Sequence, residues 1–201
     1  MHRVFLLSPA HAGGKRAELL LRDAATFPLA ARLREWQGIP LGEAFSFMSG
    51  LYFRGKLAYA RQFARPPEGI AGALVITANR GLLAAETPVR AEDLQALGLV
   101  DIHASDPRYR EPLLADLDRL RAVPDLDLVL LGSVATGKYV DVLLEALGRR
   151  LRFPPEFVGR GDMSRGALLL RAARSEEELA YIPVEGADRH GPRPPRLEPV
   201  R

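Results

Sequence analysis

Leu128-Val129-Leu130-Leu131-Gly132-Ser133-Val134-Ala135-Thr136-Gly137-Lys138-Tyr139 is the stretch on which the fold turns. Four apolar residues without alternation read as a strand covered on both faces. They run into a loop with two glycines and a lysine, and then into a helical pattern that continues to about Leu147. Working outward, Val4–Ser8 and Ala73–Thr77 (Ala-Leu-Val-Ile-Thr) have the same character. Between them lie helical patterns at Lys15–Arg22, Phe27–Trp36, Leu51–Ala64, Ala91–Leu97 and Glu111–Ala122, the last with Pro112 expected in its first turn. Buried strands separated by helices predict an α/β fold of three layers, with a mostly parallel central sheet flanked by helices. Toward the C-terminus, Ala167–Ala173 and Leu179–Val184 are strand-like around Arg174–Glu178 and suggest a β-hairpin, although the first could continue a helix from Ser164. Residues 1–184 read as one α/β domain, and 185–201, rich in proline and arginine, as a C-terminal arm that could dock on a protein partner.

The chain has 201 residues, 47% hydrophobic and 26% charged, enough to build a core. No apolar run approaches the roughly 18–20 residues that a membrane-spanning helix needs. The N-terminal apolar run is too short for a signal-peptide core and reads as a first strand. The absence of cysteine excludes disulfides and thiolate metal sites and fits a cytoplasmic location. The net charge is +3, carried mostly by arginine, whose planar fork suits bidentate phosphate contacts. No histidine lies three or four residues from another, so neither a metal site nor a cofactor is expected.

Two glycine-rich basic loops carry the candidate chemistry. Gly132, Ser133, Gly137 and Lys138 precede a helix whose first amides can cradle an anion, the bland reading being a capped helix start. The spacing even fits G-x-x-x-x-G-K, but Tyr139 stands where a P-loop needs Ser or Thr for magnesium, which removes the triphosphatase reading. In Gly159–Gly166, Arg160, Gly161, Ser164 and Arg165 could contact phosphate, with Asp162 as a helix cap, a structural partner of arginine, or an acid–base group. Asn79 and Arg80 follow the Ala73–Thr77 strand, and Ser8 ends the first strand; strand ends of this kind line ligand crevices. His11, beside Gly13-Gly14-Lys15, would sit at the top of the first strand and is a candidate acid–base group with Asp162 and Ser133. Asp101, His103 and Asp106 read as solvated turn residues.

Four segments, in order, resemble the YaaA family of peroxide-stress proteins. Leu6-Leu7-Ser8-Pro9-Ala10 looks like its opening I-S-P-A-K strand. Gly50-Leu51-Tyr52, leading to Val75–Leu83, is similar to its Y-T-G-L segment and L-S-G-L-Y-G-L-L strand. Ser133 through Val140 resembles N-L-A-S-x-E-Y-F, and Arg160–Arg165 resembles A-R-G-x-M-x-R. The chain departs from the family in its length, in having Lys15 after Gly13-Gly14 instead of an immediate lysine, and in showing no helix-hairpin-helix pattern. The resemblance implies an α/β domain with a positive cleft that binds nucleic acid, a role in stress or nucleic-acid maintenance, and Ser8, Tyr52, Ser133, Tyr139, Arg160 and Arg165 facing the cleft. The expected ligand is therefore nucleic acid or a nucleotide-like anion, held by both loops, Lys15 and Arg80, with Tyr52 and Tyr139 stacking on bases. The competing expectation is a small-molecule enzyme acting on a nucleoside or phosphorylated substrate, with an enclosed pocket and a group of perturbed pKa.

Overall fold

Successive side chains of the first strand, β1 (His2–Leu7), point to opposite faces, and each face meets a separate apolar core. Phe5 and Leu7 enter one core, Val4 and Leu6 the other, and all four are fully buried. The computed structural model describes residues 1–195 and residue 197. From β1 the chain forms α1 (Lys15–Leu21), α2 (Pro28–Arg34), β2 (Ile39–Pro40), α3 (Leu41–Ser49) and α4 (Leu51–Phe63). It returns as β3 (Ala73–Ile76), β4 (Leu82–Ala84) and β5 (Pro88–Val89), followed by α5 (Ala91–Gly98) and α6 (Pro107–Arg121). Next come β6 (Leu126–Leu131), α7 (Gly137–Leu147), β7 (Leu151–Phe153), α8 (Asp162–Ser175) and β8 (Ile182–Pro183).

Six strands make one sheet in the order β4-β3-β1-β6-β7-β8. The inner four are parallel, and β4 and β8 close the edges antiparallel. Helices α1–α5 and α8 cover the face carrying Phe5, Val75 and Val129; α6 and α7 cover the face carrying Val4, Ile76 and Leu128. The expected three-layer, mostly parallel α/β fold is the fold found. β2 and β5 pair separately as a two-stranded ribbon.

The C-terminal antiparallel pair joins β7 to β8, Phe153 opposite Ile182, with α8 between them in sequence. Ala167–Ala173 is not one of its strands. It lies inside α8, which begins at Asp162 and buries Leu169 and Ala172 on the face turned to the sheet. Helix α6 starts earlier than its apolar pattern suggests, because Asp106 caps it by accepting from the Arg108 amide and Pro107 opens it. Pro112 accordingly sits inside that helix, not in its first turn. Of the expected C-terminal arm, residues 196 and 198–201 lie outside the described residues. Pro192 lies against Gly159, and the Pro195 carbonyl accepts from Arg160.

Candidate functional site

The connections fix where a ligand crevice can form. From β1 the chain passes through α1–α4 to β3 on one side, whereas β6 leads through α7 to β7 on the other. The chain therefore diverges between β1 and β6, and the crevice of such a sheet opens at the carboxyl ends of those strands. Leu7 is level with Leu131, so Ser8 and Gly132 stand side by side there. Ser8 is buried, its amide donating to the Leu131 carbonyl at 3.2 Å.

Two helices bring side chains to this point. α4 and α8 cross where both have glycine: a Cβ on Gly55 would lie 2.5 Å from the Gly166 carbonyl oxygen, and one on Gly166 would lie 2.8 Å from the Leu51 carbonyl. Gly166 thus serves close helix packing, not the approach of a ligand. The crossing sets Tyr52 and Lys56, one turn apart on α4, against Arg165 on α8.

Lys56 is 1% exposed although it carries a charge. Its Nζ donates to the Ser8 carbonyl at 2.5 Å and to Ser8 Oγ at 2.9 Å, and it lies 4.3 Å from the centre of the Tyr52 ring. Burial strips water from the ammonium and pushes its pKa down to about 7. Asp162 works against that shift and Arg165 adds to it. Arg165, 6% exposed, donates through Nε to the Phe157 carbonyl at 3.2 Å and pairs with Asp162 at 3.4 Å. The Asp162 side chain is 68% exposed, so this pair lies on the rim. Tyr52 is 6% exposed and its hydroxyl has no hydrogen-bond partner; burial raises its pKa, against the opposing field of Arg165. Tyr139, half-buried on α7, is also raised by burial, with Asp162 adding to the shift and Arg165 opposing it.

Beside this cluster lies a cavity of about 170 Å³. The turn Pro9–Gly13, Phe45, Leu97, the segment Val100–Ile102, Lys138 and Tyr139 line it. His11 is on its wall, with Nδ1 accepting from the Gly13 amide at 3.1 Å. Tyr139 thus borders the cavity and stands within electrostatic reach of Tyr52 and Arg165.

Other expected residues lie elsewhere or face other partners. Lys15 opens α1 and is exposed. Asn79 donates to the Ala96 carbonyl at 2.9 Å, its side-chain oxygen left without a partner. Arg80 is exposed and pairs with Asp93 at 2.8 Å. Arg160 points to the other side of the α8 start, donating to the Glu156 carbonyl, Ser164 Oγ and the Pro195 carbonyl. Gly161 caps α8 and is exposed. Ser133 is half-buried in the loop after β6, ahead of the Thr136 cap of α7. At Gly137 a Cβ would lie 2.0 Å from an Asp141 oxygen, so a carboxylate already crowds the amino end of α7. Asp106, as the α6 cap, and His103, bonded to Ser105 at 2.8 Å, form a local turn.

No family model, no curated protein and no solved structure matches the chain.

Proposed function

We propose that this is a YaaA-like protein that binds nucleic acid, or a nucleotide-type phosphate ligand, in a basic cleft between the β1 and β6 strand ends, in a stress or nucleic-acid-maintenance role. One observation carries the reading. A small cavity at the divergence of the sheet is walled by Lys138 and Tyr139, and two further cations, Lys56 and Arg165, are buried next to it. A base or sugar fits the partly apolar wall of Pro9, Phe45 and Leu97, with Tyr139 as a stacking surface. Phosphates are drawn to Lys138 and Arg165, because the Asp141 carboxylate disfavours an anion at the first turn of α7. The four ordered motifs that resemble the YaaA family support the same ligand class.

The test is a titration of the full chain with nucleoside monophosphates and short single strands, read by calorimetry at two salt concentrations. Affinity is expected to fall steeply between about 50 and 200 mM salt, in proportion to the phosphates held. Salt-independent binding, or binding unaffected by Lys138→Ala combined with Arg165→Met, contradicts the reading.

A second reading, an enzyme acting on a nucleoside or phosphorylated substrate, is favoured by a lysine beside the strand-end cavity that is able to gain and lose a proton near neutrality. Turnover of a phosphorylated nucleoside that depends on His11 or Lys56 would establish it.

A further inference from the structure

Lys56 and Arg165 are both almost wholly removed from water, and two buried cations ask for two buried anions. Among the described residues, the only acid that pairs with either is Asp162, which is exposed and bound to Arg165 alone. An ammonium has three protons to donate, and Lys56 places two, on the carbonyl and hydroxyl oxygens of Ser8. The Arg165 Nε and Nη1 nitrogens are bonded, and no bond from Nη2 is seen among the described residues. Beside these cations the Tyr52 hydroxyl is buried without a hydrogen bond of good geometry, the Arg165 guanidinium being the donor that stands nearest to making one. A native interior seldom leaves such a group empty-handed, and unmatched donors around unmatched positive charge describe the receiving half of an anion site.

We propose that Tyr52, Lys56 and Arg165 form a pocket for one terminal phosphate group of the ligand, reached past Tyr139 from the strand-end cavity. This deepens, and rests on, the nucleotide-type ligand proposed above. The end of a ligand is specified because the crossing of α4 and α8 at Gly55 and Gly166 closes the pocket from behind. A phosphodiester inside a continuing strand has no way out on the far side, whereas a monoester enters from one side. All three groups stand on helices packed against the sheet, which holds their geometry before the ligand arrives.

The choice of lysine gives the pocket a second property. The 28 basic residues of the chain include only three lysines, Lys15, Lys56 and Lys138, and one of them occupies this interior position. Arginine there would remain charged; lysine can release its proton while the pocket is empty. The groups facing it are Ser8 from β1, Tyr52 from its own helix, and Asp162 and Arg165 from α8, with Tyr139 of α7 close to the latter pair. A phosphate entering among them restores the proton, so binding takes up one proton above about pH 7. Affinity then weakens with rising pH, by about tenfold per unit at most for a single linked proton.

The experiment compares four probes on the full chain: a nucleoside 5′-monophosphate, the matching nucleoside, and a dinucleotide with and without a 5′-phosphate. Calorimetry at pH 6.5 and 8.5, in buffers of different ionisation enthalpy, counts the protons. The phosphorylated member of each pair is expected to bind at least about tenfold more tightly, the scale of a charge-assisted hydrogen bond. Tyr52→Phe should remove most of that preference without lowering the melting temperature, since it deletes an unbonded hydroxyl. Lys56→Met should abolish the proton uptake. Equal binding within each pair, with Tyr52→Phe unchanged, overturns the pocket but leaves a salt-dependent nucleotide site standing. Failure of all four probes to bind overturns both.

Discussion

Helix α4 carries two buried tyrosines seven residues apart, and the protein treats them in opposite ways. Tyr59 lies near the amino end of the sheet, where its hydroxyl accepts from the Leu179 amide at 2.8 Å and bonds the Tyr181 hydroxyl at 2.6 Å. Beside it Arg3 pairs with Glu178, which also accepts from Tyr181, and Arg152 donates to the Tyr181 carbonyl, the Nε atoms of Arg3 and Arg152 being left without partners. This end is a hydrogen-bonded network that fastens the segment after α8 to β1 and α4. Tyr52, at the carboxyl end, has a cation on either side and no hydrogen bond of good geometry, with Arg165 within reach of its hydroxyl. The same helix thus carries one tyrosine hydroxyl that is bonded on both sides and one that has no hydrogen bond of good geometry. Under the proposed function the bonded tyrosine serves the fold and the unbonded one the ligand, because a buried hydroxyl without a hydrogen bond costs free energy unless something else repays it.

Four measurements separate the two ends of the helix. The largest effect is expected at the crossing beneath the carboxyl-end cluster: Gly166→Ala forces a Cβ to within 2.8 Å of backbone atoms of Leu51 and Tyr52. Overpacking of this kind costs about 3 kcal/mol in a denaturant melt. Next, Tyr59→Phe strips the Leu179 amide of its acceptor and should cost about 2 kcal/mol, whereas Tyr52→Phe should leave stability within about 0.5 kcal/mol of the parent. Equal losses at the two tyrosines would erase the distinction.

The pH dependence follows from Lys56. Its native pKa of about 7 lies below the ordinary lysine value, so between those two points the unfolded chain binds more protons than the native one. Stability therefore rises with pH across that window, by up to about 1.4 kcal/mol per unit, and the contribution is flat below it. Lys56→Met should remove this slope, and a variant that keeps it contradicts the assignment.

The architecture was legible in the sequence because β1, β3 and β6 are continuous apolar runs, and only a strand covered on both faces needs that composition. The short strands β4, β5, β7 and β8 gave no such signal; two or three residues cannot show a period. Helix α3 gives little sequence signal because Gly38 and Pro40 punctuate the chain just before it, while Gly42, Ser46 and Ser49 dilute its apolar face. α8 was ambiguous because Ala167–Ala173 is apolar on nearly every turn, so neither period stands out. Of the candidate residues, Ser8 and Arg165 stand out by their place at a strand end and in a glycine-rich loop, whereas Tyr52 and Tyr139 enter through the family resemblance; the four lie near one another on or beside β1, α4, α7 and α8. Lys56 is not among the expected residues, although the sequence carries a signal for it. Positions 52, 56, 59, 60 and 63 follow one helical stripe, and the lysine is the one charged member of a stripe of Tyr52, Tyr59, Ala60 and Phe63. Arg160 and Arg165 are close in sequence, but the start of α8 turns one toward the Pro192–Pro195 segment and the other inward, a separation that depends on helix phase.

The most direct test of the carboxyl-end cluster is a titration of the Lys56 side chain by NMR, with and without a saturating nucleoside monophosphate. The account predicts a midpoint near pH 7 in the free protein that moves up by at least about one unit when the phosphate is bound, as a nearby opposite charge requires. An identical midpoint in the two states, with the ligand bound, would contradict it.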